Sequence, residues 1–132
     1  MRGRIKFSHR ALLDVVVAKV DWNIQTEDDV LAWHQEYRAF FTGRFNRKID
    51  LILELSKFHV SPRVATFFGE HRARVLSEFT RRSYRVKQSL RERTYMYTSS
   101  AIHGAPANHY ETIDDAVAAM LADRAADDPS TP

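Results

Sequence analysis

The segment KIDLILEL, residues 48–55, places Ile49, Leu51, Leu53 and Leu55 on one side of an extended chain and Ile52 on the other. Successive side chains of a strand point to opposite faces, so a strand that is apolar on both faces must be covered on both. This predicts a central strand in a sheet with helices on its two sides. The flanking segments have the matching period. In TEDDVLAWHQEYRAFF, residues 26–41, Thr26 and Asp29 form a capping box and the early acids suit the positive end of a helix dipole. Val30, Trp33, Tyr37 and Phe40 or Phe41 then form one apolar stripe, and the helix ends near Gly43. After Ser61-Pro62, the spacing of Val64, Phe68, Val75, Leu76 and Phe79 predicts a second helix over 62–80, with proline at its first position.

The remaining segments complete an α/β pattern. RIKFSH at 4–9 and the β-branched run LLDVVVAKVDW at 12–22 predict two strands joined by a turn near residues 9–11. YRVKQSL at 84–90 alternates Tyr84, Val86 and Leu90 against Arg85, Lys87 and Ser89, which predicts a strand with one wet face. Ser89 with Glu92 opens a third helix that Gly104 closes, and NHY at 108–110 is a short strand. Thr112 with Asp115 caps a last helix whose buried face holds Ile113, Ala116, Val117, Met120 and Leu121. Strands alternating with helices require right-handed crossovers. The expected fold is a mixed, mostly parallel sheet of four to five strands, with an N-terminal antiparallel element and about four helices. One domain spans 1–122, and the acidic tail 123–132 has nothing to bury and is expected to be disordered.

Composition narrows the function classes. The chain has 132 residues, 44% of them hydrophobic and 28% charged, in keeping with one soluble globular domain. It has no cysteine, which excludes disulfides, thiolate metal sites and cysteine nucleophiles and is compatible with a reducing cytoplasm, the expected location. The longest apolar run near the start, VVVA at 15–18, is far short of the roughly 20 residues of a membrane span. Charge is uneven: residues 63–93 carry nine Lys or Arg against three acids, and residues 111–128 carry six acids against one arginine.

No catalytic pattern emerges, and no enzyme activity is expected. The glycines at 3, 43, 69 and 104 are isolated, so no phosphate-binding loop or nucleophile elbow exists. The six histidines lack the i, i+4 spacing of a helical metal pair, and Asp28-Asp29 and Asp114-Asp115 are accounted for by helix first turns, so no metal or cofactor is expected. The basic segment 81–93 surrounds Tyr84, but alternation turns that ring toward the core, which argues against nucleic acid as the partner. YMYTSSAI at 95–102 offers aromatics that could join two copies into a homodimer.

Three stretches, VVVAKVDWNIQTEDDVLAW, KIDLILELSKFHVSPRV and NHYETIDDAVAAML, follow one another in an order that resembles the STAS family, the sulfate-transporter and anti-sigma-factor-antagonist domain. The likeness covers roughly residues 12–122. It implies a non-enzymatic regulatory or protein-interaction domain, with a protein partner bound by the loop and helix after the central strand. In that family a serine or threonine at this helix start is phosphorylated, between an acidic residue and a glycine. Ser61 stands there, flanked instead by Val60 and Pro62. Ser61 is also a good helix cap, and that reading takes precedence because every helix needs an end. The candidate partner-binding or switch residues are Ser56, Lys57, His59, Ser61 and Arg63. The second reading is a small-ligand or lipid-binding module using the same C-terminal edge of the sheet, where open α/β sheets receive ligands.

Overall fold

A computed structural model describes residues 4–88 and 109–127. The strands β1 (Ile5–Arg10), β2 (Val15–Ile24), β3 (Ile49–Val60), β4 (Thr80–Val86) and β5 (His109–Tyr110) form one sheet in sequential order. β1 and β2 are antiparallel, and every later pair is parallel. The helices are α1 (Glu27–Phe41), α2 (Ala65–Phe79) and α3 (Ile113–Asp127), with a 3-10 turn at Pro62–Val64 ahead of α2. Crossovers of one hand that step across a sheet in one direction fall on one face. Accordingly α1 and α2 lie together over one side, where Trp33, Tyr37, Phe68 and Val75 pack on the even residues of β2 and on Ile49, Leu51, Leu53 and Leu55 of β3. α3 covers the other side, with Ala116 and Met120 against Val15, Val17, Ile52, Tyr84 and Val86. The covered-on-both-faces expectation for the central strand is met.

The first helix follows its sequence signals closely. Thr26 Oγ1 accepts from the Asp29 amide at 3.1 Å while the Asp29 carboxylate accepts from the Thr26 amide at 3.1 Å, and the chain leaves the helix through Gly43 at φ 79. A left-handed φ favours glycine there, because it has no Cβ to clash.

Several expectations need correction. β3 does not stop at residue 55: it runs on through SKFHV to Val60. Its register against β2 moves from Lys19↔Glu54 to Asp21↔Lys57, so β3 holds one extra residue, a bulge that inverts the alternation. Ile49, Leu51, Leu53 and Leu55 before the bulge and Phe58 and Val60 after it therefore reach the same core. The displaced Ser56 amide donates to Glu54 Oε1 at 2.7 Å. β4 begins at Thr80 rather than at 84, and Arg85 is not wet but 2% exposed, because this face lies under α2. Leu12, read as strand, is fully exposed in the β1–β2 turn, where Asp14 adopts φ 53. Leu121, read as buried, is exposed. The expected helix over 91–104, its cap at Ser89, Leu90 and the aromatic patch at 95–102 lie outside the described residues.

Residues 123–127, expected in the tail, are helical instead, since α3 runs through Asp127. Polar ties hold this last turn to the sheet. Arg124 donates from Nε to Asp50 Oδ2 at 2.8 Å, from Nη1 to the Leu13 carbonyl at 2.7 Å and from Nη2 to the Asp14 carbonyl at 2.9 Å. Asp50 is 2% exposed on β3, and the Tyr84 hydroxyl donates to Asp123 Oδ2 at 2.7 Å. Asp127 pairs with Arg81 and Arg82. No helix among the described residues is long and apolar enough to cross a membrane.

Candidate functional site

The bulge decides where the residues after it point. With Phe58 and Val60 turned into the α1/α2 core, Lys57 and His59 are exposed on the opposite face. There they pair in register with Asp21 and Asn23 of β2, which are exposed too. α3 covers Val15, Val17 and Ile52 at the other end of these strands and does not bury this polar platform. Ser56 is exposed at the bulge itself.

Ser61 and Arg63 follow at the strand end. The Ser61 amide donates to the Ile24 carbonyl at 2.8 Å, continuing the β2–β3 pairing. Its Oγ accepts from the Arg63 amide at 3.3 Å, with Pro62 next in the chain, as the cap reading requires. The element it caps is the three-residue 3-10 turn, not α2. α2 starts at Ala65, and Val64 ahead of it provides no side-chain cap. Ser61 is half-buried, whereas Arg63 is exposed. Because the cap bond is long, Ser61→Ala is expected to lower stability by less than about 1 kcal/mol in urea unfolding. Thus Lys57 and His59 share the platform, while Ser56 lies at its bulge and Ser61 and Arg63 at its end.

A second feature lies under α1 and α2. A cavity of about 20 Å³ is lined by Trp33 and Tyr37 of α1, by Phe68 and Arg72 of α2, by Leu51, Leu53, Leu55 and Phe58 of β3, and by Arg85 of β4. Arg72 is 3% exposed and Tyr37 0% exposed. Burial, and then the charge of Arg85, lower the Arg72 pKa to about 9. Burial, reinforced by Glu36, raises that of the Tyr37 phenol. The signal for Arg72 was its place in the series 68, 72, 75, 76, which is the buried stripe of α2. Alternation along β4 does not reveal the burial of Arg85, because it does not show that both faces of the strand are covered.

Between the two helices, His34 of α1 and His71 of α2 meet with Nδ1 atoms 2.7 Å apart. Burial lowers the pKa of both rings, and for His34 the neighbouring His71 adds to the effect. Two neutral rings can place a single proton between these atoms, whereas two imidazolium rings would each point an N–H at the other. The folded chain therefore binds fewer protons than the unfolded chain near the ordinary histidine value of 6.5. The contribution is whole above that value, is lost as pH falls through it toward the lowered folded values, and then levels off. The thermal midpoint should fall between pH 7.5 and 5.5, and less steeply in His71→Gln. An equal slope in both proteins would contradict this assignment.

Among the described residues, no three His, Cys, Asp or Glu come together as a metal site. Compared with known proteins, the chain matches no family model and no curated sequence.

Proposed function

We propose that this chain is a STAS-like, non-enzymatic interaction domain that binds a protein partner through the exposed end of β3. The observation behind this reading is the run from Ser56 to Arg63, where a bulge turns Lys57 and His59 outward beside Asp21 and Asn23. Such a surface is rigid, because its backbone is part of a parallel sheet and Phe58 and Val60 anchor it from below. It is polar and mixed in charge, which suits a reversible contact whose specificity comes from charge placement. Ser61 supports a regulatory variant of the reading. A phosphate there would add up to two negative charges beside Arg63, at the rim of the same surface.

The test compares affinity isolations from native cells, using the wild type and a Lys57→Ala/His59→Ala/Arg63→Ala variant of equal thermal midpoint. A protein enriched by the wild type should be depleted at least about tenfold with the variant, as expected when interface charges worth about 1.4 kcal/mol are lost. Identical recoveries would overturn the reading.

A further inference from the structure

β1 leaves one edge of the sheet open. It stands first in the strand order, and no described strand pairs with its outer side. The Asp21 amide donates to the Arg4 carbonyl at 2.9 Å, and the pairing then runs without a shift from Ile5↔Val20 to Arg10↔Val15. Bonded positions alternate along an antiparallel ladder, so Lys6, Ser8 and Arg10 turn their backbone groups toward β2, while Ile5, Phe7 and His9 turn theirs outward. The side chains divide by face. Lys6, Ser8 and Arg10 are exposed on the side of the sheet that carries α3, since they pair with Lys19, Val17 and Val15. Phe7 lies on the other side, half-buried, with its ring stacked 4.3 Å from that of Phe40. Phe45, also half-buried, stands 5.0 Å from the His9 ring.

We propose that the outer edge of β1 is a docking site for an extended peptide segment in which acidic residues alternate with apolar ones, added to the sheet as one more strand. Ile5, Phe7 and His9 present amides and carbonyls to such a segment at every second residue, which supplies affinity without regard to sequence. The two faces supply the selection. An added strand lies about 4.8 Å outside β1, so its side chains on one face come beside Lys6 and Arg10, and those on the other come beside Phe7 and Phe40. β1, IKFSHR, contains no acid, and Lys6 is directly opposite Lys19, an unfavourable pairing of like charges that a neighbouring carboxylate offsets. Lysine on an edge strand is a common guard against unwanted pairing. Here the guard discriminates: a basic or neutral strand meets the same backbone without relieving the crowded cations, whereas an acidic strand neutralises them. A second copy of β1 would set Lys6 and Arg10 against cations of their own kind, so the charge pattern selects a different chain. This edge is separate from the end of β3, and its occupancy does not depend on a partner there.

The probe is a dye-labelled, N-acetylated hexapeptide amide, Glu-Val-Glu-Leu-Glu-Val, matched to the six residues of β1. It is titrated against the full chain beside two controls: a permuted peptide, Glu-Glu-Glu-Val-Leu-Val, and the alternating peptide with lysine in place of glutamate. The alternating acidic peptide should bind saturably with a Kd of about 10 to 100 μM, and the controls at least about tenfold more weakly. In the complex, hydrogen exchange of the Ile5, Phe7 and His9 amides should slow at least about tenfold, because those groups become bonded. Lys6→Glu/Arg10→Glu should weaken binding about tenfold or more without lowering the thermal midpoint, since it removes the like-charge pair with Lys19. His9→Pro removes one outward donor at a position where an edge strand tolerates proline, and it should weaken binding about fivefold or more. No binding up to about 1 mM, equal binding of the alternating and permuted peptides, unaltered exchange at the three amides, or equal affinity in the wild type and the charge variant overturns the proposal. So does a concentration-dependent dimer that protects the same amides without peptide, which would assign the edge to a second copy.

Discussion

Arg124→Met is expected to lower the unfolding free energy by about 3 kcal/mol, a large share of what a domain of this size has in reserve. The substitution keeps the length and apolar stem of the side chain but leaves Asp50, 2% exposed, as a carboxylate without its cation. It also removes the donors to the carbonyls of Leu13 and Asp14, which close the β1–β2 turn. A buried ion pair is not intrinsically worth this much, since removing both charges together can be neutral. The double variant Asp50→Leu/Arg124→Met should therefore recover most of the loss. Urea unfolding of the three proteins measures both effects, and a loss under about 1 kcal/mol in the single variant would show that the last turn of α3 is not clamped.

Phe58→Ala is expected to cost about 3 to 5 kcal/mol, whereas Lys57→Ala next to it should change stability by less than about 0.5 kcal/mol. The contrast follows from the bulge. Phe58 is buried against Phe68 in the α1/α2 core, while Lys57 is exposed on the opposite face. Were residues 56–60 a mobile loop, both substitutions would be nearly neutral. The same contrast makes Lys57 a clean position for probing partner binding, because its loss leaves the fold intact.

The sequence makes the central strand legible because KIDLILEL is apolar on both faces, and it makes α1 legible because Thr26 and Asp29 satisfy each other's amides. It hides the length of β3. Leu55, Ser56, Lys57 and Phe58 break strict alternation, and only the pairing partner shows that one inserted residue restores the phase. Alternation along β4 sets Arg85 opposite Tyr84 and Val86, which reads as a wet face, and the buried stripe of α2 is legible through its apolar members rather than through Arg72. The end of α3 reads as tail because residues 123–132 offer no large apolar side chain to bury. What holds it is polar, through Asp123, Arg124 and Asp127 to groups on the sheet and the β1–β2 turn. Periodicity finds faces; it does not find a carboxylate such as Asp50 that waits on a strand for an arginine 74 residues away. Of the candidate residues, the sequence located Ser61 as a cap correctly, but on a 3-10 turn instead of on the long helix.

The most direct test of the interaction reading places a photo-crosslinking residue at position 57 or 63, and as a control at position 70, exposed on α2. Irradiated in native cells, positions 57 and 63 should each give one discrete adduct with the same protein, and position 70 none. No adduct from 57 or 63, or the same adduct from all three positions, would contradict an interaction domain that works through the end of β3.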